Sequence, residues 1–582
     1  MSITRLRIFS FSTVVLFTIL FFSLWNLQVN HYSYYKQLSD KNCIRLLPLP
    51  AARGSIYDRK GRVLAEDRPL FILTLIPQEF FAQKREVREW VLTRLSEITG
   101  VCKEEIRDRI ERKRRITPPF VPLVILKGLN RKEISAVEES GLNLYGISIQ
   151  VIPERYYPYG EISAHIIGYV GRGEREEEER RYGYQLPYRV GKAGIERSMD
   201  EYLRGEDGGE EVEVDHLARE VRRLGVKYPR KGGDIYLTID IDLQKVCYQL
   251  LAKERLKGAI VVLQPFTGEI LAMASYPSFN PNDFIEGATE KIRQVLTSPS
   301  SPLLNRAISG IYSPGSTFKP LVAIAGLEKK KIFANTYFYC AGRYRIGNRF
   351  FYCWKRDGHH WLDVRKALAY SCNVFFYKLG ERLGVDTLRN FCLLFGLGEK
   401  TGVELPGEKK GLIPSREWKY FKKKEEWYKG ETAHFAIGQG YLLTTPLQMA
   451  RAISVIANKG YLFTPTIILK PKFRSLLLKK LKLSSKNIEI VRQGMQAVVE
   501  DPYGTAHSLM IRDMRVAAKT GTAQVKGKEA NSWIVGFCPF EHPQIVFVIL
   551  IEQGGVSTHR VGIARELIES WKRLVKTEKG NK

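Results

Sequence analysis

An apolar run at the N-terminus limits this chain more than any other feature. Ile8 to Val29 read IFSFSTVVLFTILFFSLWNLQV, almost without charge, and about 20 such residues span the hydrocarbon core of a bilayer. In lipid a lone segment must satisfy its own backbone, so a single transmembrane helix is expected here. Arg5 and Arg7 precede the run; positive residues stay inside, which leaves everything after about residue 30 outside the cytoplasm. A cleaved signal peptide competes with this reading, but the run is too long and no small-x-small cleavage site follows it. The expectation is a single-pass anchor in the cytoplasmic (inner) membrane, with the bulk of the chain on the periplasmic or extracellular side.

At 582 residues the chain exceeds the size at which single cores stop growing, so two or three domains are expected. Hydrophobic residues at 44% and charged residues at 26% exclude a disordered chain. The net charge of +29 calls for an anionic neighbour: nucleic acid, a membrane surface or a polymer. Nucleic acid is disfavoured, because neither a zinc-finger spacing nor an RNA-binding signature occurs. The lysine triplets at 329–331 and 422–424 read as solvated faces.

Along the chain, FILTLI (71–76) and ISIQVIPERYYPYG (147–160) read as strands. Residues 83–140 read as helical and densely charged, EREEEERRYG (174–183) as a charged loop, and GKAGIERSMDEYLRG (191–205) as one short helix. The pattern changes near GGDIYLTID (232–240). A helix, LQKVCYQLLAKERL, then leads into two apolar strands, GAIVVLQP and GEILAMAS. Three more strand-like runs, MRVAAKTGTAQV, NSWIVGFCPF and QIVFVILIEQ, precede a last helix, ARELIESWKRLVK. Strands near both ends with helices between them argue for one α/β or α+β sheet assembled from distant segments.

Three short motifs carry chemistry. In GIYSPGSTFKPL (310–321) Ser316 stands three residues before Lys319, close enough on a helix face for a desolvated lysine to activate the serine. The bland alternative is a capping serine, with Pro320 breaking the helix locally; Ser33 and Lys36 show that the spacing also arises by accident. Ser371-Cys372-Asn373 could direct a hydroxyl and a carboxamide into one cleft, or could cap a helix. K-T-G occurs twice. Lys400-Thr401-Gly402 falls in a Gly/Pro-rich loop, whereas Lys519-Thr520-Gly521 ends an apolar run and can lie along a sheet edge. There Lys519, Thr520 and Thr522 would offer a cation and two hydroxyls to the carboxylate of an extended peptide. Only the second copy is assigned function.

In the order S-x-x-K, S-x-N, K-T-G these motifs form one set. With RGSIYDRKGRVLA, TGEILAMASYPSFNPNDF, GLIPSREW and AIGQGYLLTTPLQMARAISVIANKG, the chain resembles the class B penicillin-binding proteins, and within them the elongation-type penicillin-binding protein 2, over roughly residues 50 to 570. The resemblance implies a tail (1–7), a transmembrane helix (8–29), an elongated mixed pedestal or dimerisation-like domain (30–230), a penicillin-binding serine-transpeptidase domain with a central antiparallel sheet flanked by helices (231–575) and a polar tail (576–582). It implies a peptidoglycan D,D-transpeptidase that cross-links stem peptides during elongation. Ser316 would attack the D-Ala–D-Ala carbonyl and Lys319 would take its proton. Ser371 and Lys519 would relay that proton to the leaving amine, and Asn373 would hold the donor's amide. Thr520 and Thr522, flanking Gly521, would bind the substrate carboxylate, and the amides of Ser316 and Thr522 would form the oxyanion hole. β-Lactams would acylate Ser316. Implied partners are the stem peptides, a membrane glycosyltransferase of the shape, elongation, division and sporulation family, and other elongation-complex proteins, with no nucleic acid and no organic cofactor. A D,D-carboxypeptidase and a non-catalytic β-lactam sensor or scaffold are the rival readings.

Cys340, Cys353, His359 and Cys372, spaced C-x12-C-x5-H-x12-C, supply three thiolates and an imidazole suited to one structural zinc ion. A Cys340–Cys353 disulfide is the alternative outside the cytoplasm. Cys43, Cys102, Cys247, Cys392 and Cys538 read as buried small hydrophobes.

Overall fold

The computed structural model describes residues 3–580 apart from 37–43, 116–118, 120, 141–143, 174–188, 215–219 and 470–476. The expected charged loop 174–183 and Cys43 lie outside the described residues.

Ile3–Trp25 form an α-helix that continues as a π-helical segment, Asn26–Asn30. Its stretch Phe11–Asn30 is long and apolar enough to cross a membrane. Phe17 and Phe22 are about two-thirds exposed, an apolar surface that water alone does not favour.

The next region is built on the long strand Val63–Leu75, which pairs antiparallel with Leu123–Lys127 and with Ile147–Tyr156. Helices Arg85–Thr99, Lys103–Arg114 and Arg131–Glu139 place Val91, Leu95, Ile106, Ile110 and Val137 against Leu73 and Leu75. The helical reading of 83–140 is thus interrupted by a strand. Leu123–Lys127 is too short for its apolar run to show a period, and only its pairing with the long strand marks it. Residues 191–205 form two short helices, Gly194–Ser198 and Asp200–Arg204, separated by Met199 at φ −119°, ψ 23°.

Between these helices and the sheet lies a buried ionic cluster. Glu196 accepts from Arg53 at 2.7 Å and from Arg155 at 2.6 Å, while Arg155 also reaches Asp67 at 3.1 Å and Arg53 reaches Asp200 at 2.9 Å. The RGSIYD stretch then hands over to the second region. Ile56–Tyr57 pair parallel with Ile235–Tyr236, the Ser55 amide donates to Asp234, and Arg62 bridges Asp58, Asp240 and Asp242.

That second region centres on a five-stranded antiparallel sheet ordered Ile270–Tyr276, Gly258–Leu263, Ile545–Ile551, Lys528–Cys538, Ala517–Val525. Alternate residues serve opposite faces, as the strand period requires. Ile260, Val262, Ile534 and Ile549 pack on helices Ile241–Ala252 and Val561–Gly580. Ala259, Val261, Val548 and Leu550 join the core of Leu447, Ala450 and Ile453 on helix Pro446–Ala457. The last helix runs to Gly580, through most of the expected polar tail. Ala517–Val525, which carries the second K-T-G, is an edge strand, as its apolar-then-polar sequence leads one to expect.

Candidate active site

Ser316 lies in a 3-10 turn, Gly315–Phe318, that runs into helix Lys319–Glu328. It makes no capping hydrogen bond, so the bland reading of this serine is not realised. Pro320 does not break the helix; it sits in the first turn, where the missing N–H would be unpaired anyway. Ser316 is half-buried and Lys319 fully buried.

The Lys319 ammonium nitrogen lies 2.8 Å from the Ser371 carbonyl, 3.2 Å from the Ser371 hydroxyl and 2.7 Å from Asn373 Oδ1. The first two motifs therefore meet on one atom. Ser371 has φ +52°, a left-handed conformation rare for serine. It forms the tight corner between helix Val364–Ala369 and helix Asn373–Leu394, whose N-cap is Cys372 and not the serine.

The third motif reaches the same place from the sheet. A Cβ on Gly521 would stand 3.0 Å from the Pro314 carbonyl oxygen and 2.8 Å from the Thr317 methyl, so only glycine lets the edge strand lie this close to the serine turn. Lys519 is fully buried and donates to the Thr520 carbonyl at 2.9 Å. Thr520 Oγ1 bonds Thr505 Oγ1 at 2.7 Å, and Thr522 Oγ1 pairs with the Ser557 hydroxyl and amide at 3.1 Å. Gln439, in the family-like stretch AIGQGYLL, donates to the Thr522 carbonyl at 3.3 Å; Thr505 and Ser557 carry no sequence signal and arrive from remote segments. The first K-T-G is elsewhere employed: Lys400 is exposed, and Thr401 bonds Glu408 through both its amide and its hydroxyl.

Neither buried lysine has an ion-pair partner among the described residues. Burial pulls Lys319 down to about 8, offset in part by the nearby thiols of Cys353 and Cys372. Burial, and then the Lys319 charge, hold Lys519 well below the usual lysine range. Two buried amines with no carboxylate beside them among the described residues leave the cleft ready both to receive a carboxylate and to supply a neutral amine as base.

Behind Ser371 lies the cysteine cluster. The Sγ atoms of Cys340, Cys353 and Cys372 and a ring nitrogen of His359 all lie within 4.8 Å of one another. His359 Nδ1 is 3.7 Å from Cys340 Sγ and 3.5 Å from Cys353 Sγ. Cys340 and Cys353 are separate thiols, not a disulfide. Of the cysteines expected to be inert and buried, Cys247, Cys392 and Cys538 are so, whereas Cys102 is exposed and donates to Glu104, because it only precedes a surface helix.

Residues 258–569 match the family model described as the penicillin-binding protein transpeptidase domain, and 48–237 match the penicillin-binding protein dimerisation domain. The chain is a class B penicillin-binding protein of the penicillin-binding protein 2 type. It is 36% identical to the peptidoglycan D,D-transpeptidase MrdA of Acinetobacter baumannii, over 94% of this chain and 84% of that one. The structure of penicillin-binding protein 2 in complex with MreC from Helicobacter pylori superposes with a TM-score of 0.80 at 29% identity, covering 91% of this chain and 99% of that one. A structure described as the coordination of polymerization and crosslinking by a peptidoglycan synthase complex gives 0.73 at 31% identity, over 97% of this chain and 98% of that one. A penicillin-binding protein of this type is a serine D,D-transpeptidase, acylated by β-lactams and acting on peptidoglycan during elongation.

Proposed function

We propose that Ser316 is the acylated serine of this transpeptidase. The observation that carries the reading is the convergence of Lys319 Nζ on Ser371 and Asn373, one turn beyond Ser316. With Lys319 near 8, about a tenth of the molecules hold it as the free amine at pH 7. That amine takes the Ser316 proton as Oγ attacks the D-Ala–D-Ala carbonyl carbon. The resulting oxyanion is held by the amides of Ser316 and Thr522. Collapse breaks the peptide bond, and Ser371 with Lys519 passes the proton to the departing D-alanine amine. Asn373 holds the donor's amide, while Thr520 and Thr522, on either side of Gly521, hold its carboxylate. The carboxylate's entry also restores charge to Lys519. An amine from a second stem peptide then attacks the ester and completes the cross-link.

Cys340, Cys353, His359 and Cys372 are proposed to hold zinc. Donors about 2.0–2.3 Å from one tetrahedral ion stand about 3.5–3.8 Å apart, which suits the spacing here. The metal would brace the corner at Ser371 from behind and take no part in acyl transfer.

The same reading divides the chain into a tail (1–7), a span (8–29), a pedestal (30–230) and a transpeptidase domain (231–575) held outside the inner membrane. It gives the pedestal partners among elongation proteins, including a polymerising glycosyltransferase; the MreC complex and the peptidoglycan synthase complex of the two structural relatives support this assignment. Purified full-length protein supplied with two stem peptides tests the function. D-Alanine release with dimer formation is expected, and release without any dimer would leave the carboxypeptidase reading in its place.

A further inference from the structure

The hairpin beside the cleft has two faces of different character. Strands Arg343–Ile346 and Arg349–Tyr352 pair with Arg343 opposite Tyr352 and Arg345 opposite Phe350. Cross-strand partners share a face. The other face, Tyr344, Ile346 and Phe351, packs on the core. Folding therefore accounts for that inward side and gives no reason for aromatic rings on the outward one. Yet Phe350 is 46% exposed and Tyr352 49%, each with a guanidinium over its ring: Arg343 at 5.0 Å from the Phe350 centroid, Arg356 at 4.6 Å from that of Tyr352.

Charge on this element is one-sided. From Ala341 to Arg356 there are five basic residues and no carboxylate. The surface is also continuous with the catalytic loop: the Tyr352 carbonyl lies 3.5 Å from Asn373 Nδ2 and accepts from the Tyr377 hydroxyl at 3.3 Å. A ligand lying on the hairpin would thus run directly into the cleft.

We propose that the outward face of this hairpin is a docking platform for the glycan strand that carries the donor stem, with Phe350 and Tyr352 stacking on sugar rings and Arg343, Arg345 and Arg356 pairing with carboxylates of neighbouring stems. The C–H faces of a pyranose meet the negative face of an aromatic ring favourably, and a guanidinium fixes a carboxylate through paired N–H donors. A saccharide polymer bearing regularly spaced anions is the partner that uses both. The proposal rests on the transpeptidase reading above and adds that the enzyme grips polymer as well as peptide.

The test compares two substrates of full-length protein in detergent: soluble uncross-linked peptidoglycan strands with pentapeptide stems, and the free pentapeptide. In the Phe350→Ala/Arg345→Glu variant KM for strands should rise about tenfold, the loss of roughly one good contact. The strand kcat, the KM for free pentapeptide and the rate of penicillin acylation should stay within about twofold. Arg343→Gln, which retains the hairpin's shape, should move strand KM alone by a smaller factor, so a folding defect in the first variant cannot mimic the result. Unchanged strand KM in both variants overturns the proposal and leaves a protein as the occupant of this face. An equal rise for strands and free pentapeptide also overturns it. Parent protein that releases D-alanine from neither substrate refutes the underlying reading instead.

Discussion

Arg53 and Arg155 in the pedestal are buried almost as deeply as Lys319 and Lys519 in the cleft, yet the chain treats the two pairs in opposite ways. Among the described residues of the pedestal, both buried cations, Arg53 and Arg155, meet carboxylates. Burial alone would raise Glu196, but Arg155 and Arg53 outweigh it and hold the carboxyl below the usual range. Those charges are fixed, and they lock RGSIYD to the helices behind it. In the cleft the lysines hydrogen-bond only neutral oxygens and meet no carboxylate among the described residues, so burial, offset only in part at Lys319 by Cys353 and Cys372, pushes both toward the free amine. Similar burial thus yields a structural staple in one place and, in the proposed mechanism, a base in the other; the presence or absence of a carboxylate decides which.

This contrast can be broken from either side. Lys319→Met removes the base together with an unpaired buried charge. Penicillin acylation should fall by about 10²- to 10⁴-fold, while thermal unfolding of the full chain shifts little or upward; a large drop in melting temperature would put Lys319 with the staples. Glu196→Gln removes the buried carboxylate that Arg53 and Arg155 share and leaves each guanidinium one anion, Asp200 and Asp67. Denaturant unfolding should show a loss of about 3–5 kcal/mol, with the acylation rate of the folded protein nearly intact. A slowed reaction at full stability would make the pedestal cluster part of the catalytic machinery.

Proton binding sharpens the comparison further. Because burial lowers Lys319 to about 8, its amine is protonated below that pH and free above it. Stopped-flow acylation should therefore climb about tenfold per pH unit up to about pH 8 and then level off. A rate that falls as pH rises through this window would reverse the assignment of base. The smallest effect belongs to the first K-T-G. Lys400→Ala lies on the surface and should alter neither acylation nor stability beyond about 0.5 kcal/mol, whereas Lys519→Ala should abolish turnover.

Much of the site was legible because the motifs name residue types that few other roles require together. Distinguishing the two K-T-G copies needed only the apolar run before Lys519, which marks a strand. The five-stranded sheet was legible for the same reason: its buried strands are unbroken apolar runs such as IVFVILI. What sequence could not convey was set by neighbours distant along the chain. Leu123–Lys127 became a strand through pairing with Val63–Leu75. Pro320 became a helix starter because the 3-10 turn before it places it in the first helical turn, where its missing N–H costs nothing. Thr505 and Ser557 acquired roles only by lying next to Thr520 and Thr522. The cysteine spacing suggested four ligands, but that their donor atoms converge immediately behind Ser371 is a fact of tertiary structure.

Where an electrophile lands decides between Ser316 and every other residue. Full-length protein labelled with fluorescent penicillin, digested and mapped by mass spectrometry, should carry one adduct, on Ser316, and the Ser316→Ala protein should carry none while unfolding at the parent temperature. An adduct on Ser371, or undiminished labelling of Ser316→Ala, would contradict the assignment of Ser316.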